Sequence, residues 1–464
     1  MERPKRILFL DLMRVLALFM MIQGHTTYDF LDLSVRDGQS IGIFIWTSLR
    51  GYTAPFFMMV SGTVFTFLML SQEKPDGTNP RIKAGSKRII TLLFWGYFLN
   101  FPIYIIWKIF TTEGLNQIME IGLLETLLTI GWIALSLFVY ITLQDDNDLK
   151  RKKLIKKVFR EGALKNSRYR GAIFNTKNLK REELKNRLFK SVFYSVLISI
   201  PYLIISNLLT LEEKQRALRV DVLHIIALGL LSIMLFYFIS RHIRWILSIL
   251  VFLMLLFIIS LYPLLNKVDF IDLPVFLAPY LNSFETKSMF PLTPWLAYVF
   301  AGSIMGIWLS LEIKKDNFEK IIGFKLAALG LGFILLSIIG DFLEIAYYGK
   351  SYYWLDSPNL LYHRIGIVLS VGSIMAFLSL YIKDLPVFIK QMSRNTLWLY
   401  VGHLIIIYQI VKPIIGYQTR FSIGITICCV VTMFVLMYFQ SQIIVFIQKK
   451  GGYFSFFKGL LRKK

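Results

Sequence analysis

Asp11, Arg14 and His25 interrupt a stretch, residues 8–25, that is otherwise apolar almost throughout. His25 follows Arg14 by eleven positions. At about 100° per residue this returns a helix to within roughly 20° of the same face, with Asp11 about 60° to one side. A guanidinium is always charged and presents a planar fork of donors, suited to a phosphate or carboxylate or to neutralising Asp11. An imidazole with an ordinary pKa of about 6.5 takes up a proton near neutrality, and it also attacks an activated carbonyl such as a thioester. The residue types leave both roles open. Asp11 and Arg14, one turn apart, also suit a purely structural pair. On insertion scales each charge at the centre of a membrane helix costs roughly 2.5–3.5 kcal/mol unless it faces protein or water, so this stripe is expected to line an interior.

The elements that would carry such a stripe follow from composition. The chain is 56% hydrophobic and 15% aromatic, with a mean hydropathy of +0.59, well above a soluble domain. Runs long enough to cross a hydrocarbon core of about 30 Å lie near residues 7–24, 52–70, 89–107, 121–143, 191–209, 223–240, 245–263, 291–309, 321–343, 363–382, 395–412 and 422–447. The expected fold is an all-α polytopic membrane bundle of about 12 transmembrane helices, one domain over 1–464, multi-pass in the cell membrane. Most of the 52 Lys and Arg fall in loops on the side of the N-terminus, and this positive-inside bias puts both termini in the cytoplasm. The net charge of +23 is therefore topological, and no nucleic-acid partner is expected. The first segment carries internal charges and lacks a small-residue cleavage site, so it reads as a retained span. Cys428 and Cys429 stand side by side in an apolar run and offer neither a disulfide framework nor a metal site.

One long polar stretch, residues 144–190, holds sixteen Lys or Arg and reads as a basic cytoplasmic insertion lying on anionic headgroups. On the expected topology His25, His224 beside Asp221, and His363 with Arg364 all stand at the outer ends of their spans. This convergence is unlike independent interfacial anchors, which would fall on both faces. His403 lies midway along its span, where an imidazole is expected to be a buried hydrogen-bonding or pathway residue. His242, between Arg241 and Arg244, reads as a cytoplasmic loop residue.

The segment Leu10–His25, with Asp11, Arg14 and His25, resembles the opening of membrane-bound acyltransferases, including the acyltransferase 3 family and the heparan-alpha-glucosaminide N-acetyltransferase family. Residues 50–62 (RGYTAPFFMMVSG), 222–229 (VLHIIALG) and 291–306 (PLTPWLAYVFAGSIMG) resemble the second group, particularly its bacterial members, and 395–404 (NTLWLYVGHL) resembles a late-span motif of both. Val15 departs from the usual Gly after the first-span Arg. The spans on either side of the 144–190 loop look like an insertion relative to the compact bacterial pattern.

The resemblance implies an enzyme that takes an acyl group, usually acetyl from acetyl-CoA, and places it on a hydroxyl or amine of a sugar or envelope component. By that likeness His25 is the leading catalytic residue, supported by Arg14 and Asp11, while Arg50, His224, Trp295, His363, Arg364 and His403 are expected to bind substrate. The implied partners are acyl-CoA as co-substrate, a carbohydrate or envelope acceptor and the bilayer; no metal is expected, and the sequence is silent on oligomeric state. A transporter or flippase is the competing reading: twelve spans with both termini inside is a common carrier layout, and Asp341 with His403 would then form a proton relay. The lack of a convincing internal repeat counts against it.

Overall fold

The computed structural model describes residues 7–38, 40–73, 78–101, 130–131, 134, 211–240, 243–265, 268, 277–281, 288–354 and 357–449. The chain divides into two compact units, Met1–Phe101 with Leu218–Lys464, and Pro102–Ala217. In the second unit the described helix is Leu211–Ala217. The expected spans at 121–143 and 191–209 and the basic loop 144–190 therefore lie outside the described residues, save three positions within the first. His242 lies outside them too.

The first unit is built from long apolar runs that satisfy their backbone groups internally, as a bilayer demands. Its principal helices are α1 (Leu8–Phe30), α2 (Ile41–Arg50), α3 (Thr53–Ser71), α4 (Arg81–Asn100), α5 (Val222–Ile239), α6 (Arg244–Leu265), α7 (Leu292–Glu312), α8 (Phe318–Tyr348), α9 (Pro358–Tyr381), α10 (Val387–Arg394), α11 (Thr396–Leu404) and α12 (Ile423–Lys449). Between α11 and a short helix at Lys412–Ile415, residues Ile405–Val411 wind as a π-helix. Among the described residues nine helical segments are long and apolar enough to cross a membrane, and they coincide with nine of the twelve expected. The span expected at 89–107 differs. Its helix, α4, begins at Arg81 and ends at Asn100, because the basic residues 81–88 form its first two turns rather than a loop.

α7 is the central rod: 78% of its most apolar stretch is buried, against 17% for the peripheral α12. Small residues let its neighbours approach. A Cβ on Gly62 of α3 would stand 2.2 Å from the Val299 carbonyl oxygen, and one on Gly302 would stand 2.0 Å from that of Met59. Hydrogen bonds cross the same seam, from Thr63 Oγ1 to the Gly302 carbonyl at 2.9 Å and between the Thr66 and Ser303 hydroxyls at 2.8 Å. Such close approach and polar contact hold helices together where lipid removes the hydrophobic drive.

The helices alternate in direction. One end of the unit gathers the start of α1 (Asp11 with Ser393), the stretch before α4 with the end of α5 (Asn79 Nδ2 to Tyr237 Oη, 3.0 Å), and the start of α6 with the ends of α3 and α7 (Arg244 to the Leu70 and Ser310 carbonyls, 3.5 Å each). At the other end a short parallel bridge ties the close of α1 to the chain before α12: Asp32 N–H donates to the Phe421 carbonyl at 3.0 Å, and Phe421 N–H to the Phe30 carbonyl at 2.6 Å. α1 thus runs from end to end, carrying Arg14 near one and His25 near the other.

Candidate active site

Arg14 and Asp11, at the start of the α1 stripe, both face protein. Arg14 looks onto a cavity of about 390 Å³ whose wall also includes Arg81 and Arg88 of α4, Ser393 and Arg394 at the end of α10, and Phe57 of α3. Asp11 is buried and accepts the Ser393 hydroxyl, with Arg14 Nη1 3.5 Å away. Ser393 thus joins the charged pair, so Asp11 anchors the α10–α11 corner as well as facing Arg14. Four guanidiniums line this one small cavity, and their forked donors are of the kind that suits phosphate oxygens. Sequence reasoning missed three of them. Arg81 and Arg88 stand seven residues apart, two turns on one face, a spacing that becomes visible only once α4 is begun eight residues earlier than expected.

His25 is half-buried one turn before the end of α1, its ring 5.5 Å centroid to centroid from that of His403 and 6.4 Å from that of Tyr408. His403 is fully buried. Its Nδ1 lies 3.1 Å from the Leu399 carbonyl, which can only accept, so the proton sits on Nδ1 and the lone pair on Nε2. Among the described residues that Nε2 has no hydrogen-bond partner. The Tyr400 ring, 5.4 Å from His403, stacks on Phe57 at 5.5 Å. One layer of aromatic rings therefore separates the arginine cavity from the imidazole pair.

Arg50 packs beside His25, its guanidinium 3.9 Å above the Tyr28 ring and its Cγ 3.9 Å from where a Cβ on Gly24 would stand. A second cluster joins the starts of α3, α7 and α9. The His363 ring lies 6.1 Å from Tyr52 and 6.1 Å from Tyr353, its buried Nδ1 has no hydrogen-bond partner among the described residues, and the Arg364 guanidinium stands 5.9 Å from the Trp295 ring. Arg364 Nη2 also approaches Gly51, 3.7 Å from where a Cβ there would lie. The structure thus brings His363 and Arg364 against Tyr52 and Gly51, next to Arg50 in sequence, and Arg364 links them to Trp295.

His224 is placed differently. Its Nδ1 accepts the Asp221 N–H at 3.0 Å, one half of a capping box at the start of α5 that satisfies a helix-terminal donor. The ring lies 4.2 Å from Tyr97 and fits because α4 has Gly96 there; a Cβ at that position would fall 2.6 Å from His224 Cε1. None of the three histidines expected to converge stacks on another. Each is held by its own neighbours, and it is His403, from mid-span, that meets His25.

A bundle of this kind, with a cationic cavity at one end and paired imidazoles toward the other, is that of a polytopic all-α membrane protein. The profile of the catalytic domain of heparan-alpha-glucosaminide N-acetyltransferase matches residues 6–143 and 170–338. With most of its length matched, the chain belongs to that family. Comparison with curated proteins finds no match, and comparison with solved structures finds none. The match takes in Arg14, His25, Arg50, Arg81, Arg88, His224 and Trp295 and ends before His363, Arg394, His403 and Tyr408. It pauses only over 144–169, a narrower interruption than the 144–190 loop, and it includes both flanking spans that looked inserted.

Proposed function

We propose that the chain is a multi-pass acyltransferase of the cell membrane that moves an acyl group, acetyl in the first instance, from cytoplasmic acyl-CoA to a hydroxyl or amine of a sugar or envelope acceptor at the outer face. The observation that carries this reading is the four-arginine cavity one ring layer from the His25–His403 pair. Acyl-CoA is polyanionic at one end and carries its thioester at the tip of a long arm. Arg14, Arg81, Arg88 and Arg394 suit the phosphates, and the arm would pass the Phe57–Tyr400 layer toward His25. Arg14 and His25 stand about 16 Å apart along the helix axis, roughly half the hydrocarbon thickness.

In the reaction His25 Nε2 takes the proton of the acceptor O–H or N–H while the acceptor atom attacks the thioester carbonyl. The C–S bond breaks, the CoA thiolate leaves, and the imidazolium returns its proton to the sulfur. His403 Nε2 supplies a second lone pair beside the acceptor. Arg50, Trp295, His363 and Arg364 form the outer rim; a sugar face would stack on Trp295.

Purified chain given radiolabelled acetyl-CoA and a glucosamine-bearing acceptor is expected to release free CoA only when acceptor is present. CoA release that ignores the acceptor, or none from any hydroxyl or amine, contradicts the assignment.

A further inference from the structure

The half-buried groups beside His25 include two that the transfer step above does not use, Asp29 and Tyr408. The Tyr408 hydroxyl donates to Asp29 Oδ2 at 2.5 Å and its oxygen lies 3.5 Å from His25 Nδ1. The geometry points to a positioning relay, Asp29 to Tyr408 to His25, that fixes which nitrogen of the proposed catalytic imidazole is free to react; the inference rests on the acyltransferase reading of His25.

The direction of the relay follows from donor counting. A carboxylate only accepts, so the single phenolic proton is committed to Asp29. Toward His25 the Tyr408 oxygen is then an acceptor, and His25 Nδ1 must carry hydrogen to meet it. The lone pair is left on Nε2. The 3.5 Å separation is long, as hydrogen bonds in substrate-free sites are before the site closes. When Nε2 takes the acceptor proton, the positive ring is held by a phenol whose oxygen is polarised by the carboxylate, and no proton leaves Tyr408.

The backbone supplies an independent reason. His403 and Tyr408 are five residues apart, which on an α-helix sets them about 140° apart. Both nevertheless meet His25. Just after His403 the chain passes into a π-helix over Ile405–Val411, whose wider, five-residue hydrogen-bond closure carries Tyr408 back toward His25, where both rings meet it. Such turns inside α-helices are frequent at functional sites. Gln409 Nε2, bonded to the Leu99 carbonyl at 3.3 Å, pins the wide turn to α4.

The test uses full-length chain with ¹⁵N-labelled histidine, in wild type, Tyr408→Phe, Asp29→Asn and His25→Ala, the last assigning the His25 signals by their absence. Wild type is expected to show His25 protonated at Nδ1, and Tyr408→Phe and Asp29→Asn to show mixed tautomers. In acetyl transfer to glucosamine both variants are expected to lose about 10- to 100-fold in kcat with KM for acetyl-CoA unchanged. Wild-type tautomer in Tyr408→Phe, or unchanged kcat there while His25→Ala is inactive, overturns the relay and leaves the acyltransferase reading standing. Full transfer by His25→Ala overturns that reading instead, and the spectra still decide whether the relay exists.

Discussion

At the scale of single residues, charge and lone pairs assign different work to the two ends of the α1 stripe. If Arg88 and Arg394 hold phosphates and take no part in bond making, Arg88→Ala and Arg394→Ala should each raise KM for acetyl-CoA by about 10-fold or more, as the loss of a charge-assisted hydrogen bond implies. Their kcat should hardly change, the pattern of interactions made equally in ground and transition states. Steady-state kinetics at two salt concentrations checks this. The wild-type KM should rise with salt and the variants should rise less, because exposed phosphate contacts are screened. Equal kcat losses with constant KM would place these arginines in the chemistry instead.

At the scale of elements, two helix features lead to measurements. Asp221 caps α5, accepting the Val222 N–H at 2.6 Å, and its burial pushes the carboxyl up to about 6. The folded protein therefore holds this proton more tightly than the unfolded chain, whose carboxyl titrates near 3.9. Its contribution to stability is greatest below about pH 4, declines as pH rises toward 6 and is level above. Asp221→Asn, which keeps a capping oxygen, should flatten the decline between pH 4 and 6 in thermal unfolding of detergent-solubilised protein. A persistent slope would assign the pH dependence elsewhere. The α3–α7 seam gives the second measurement. With the Met59 carbonyl 2.0 Å from a Cβ on Gly302, Gly302→Val must part the two helices and should destabilise by about 1–3 kcal/mol or more; an unfolding midpoint equal to wild type would show that the seam yields.

These elements also show what a sequence makes legible. Apolar length located nine spans and put His25 toward the end of the first, because both are local properties of the sequence. Within the resembling segments, the glycines at 62, 229 and 302 prove to be where α3, α5 and α7 meet: a Cβ on Gly229 would stand 2.6 Å from Val299 Cγ1. Tyr408 was hidden because 3.6-residue periodicity turns it away from His403, and only the π-helical turn restores it. Asp29 is close in sequence to His25, but its meaning depends on Tyr408, 379 residues away. The capping role of His224 was not legible either, because it depends on the Asp221 N–H reaching its Nδ1.

At the scale of the whole molecule, alternating helices give the unit two distinct ends, one holding Arg81, Arg244 and Arg394, the other holding His25, Arg50 and His363. The acyltransferase account puts the first in the cytoplasm, in line with the excess of basic residues there. In a chain with Cys428 and Cys429 replaced by alanine, cysteine at position 350 should react with an impermeant maleimide in intact cells, and cysteine at position 315 only after permeabilisation. The reverse pattern would put the cavity outside, away from any cytoplasmic donor. The measurement that bears most directly on the central claim is acetyl transfer from labelled acetyl-CoA by His25→Ala, purified beside wild type and shown to be folded. The account predicts a fall of at least about 100-fold, the lower end of what a positioned general base contributes; transfer at the wild-type rate would contradict it.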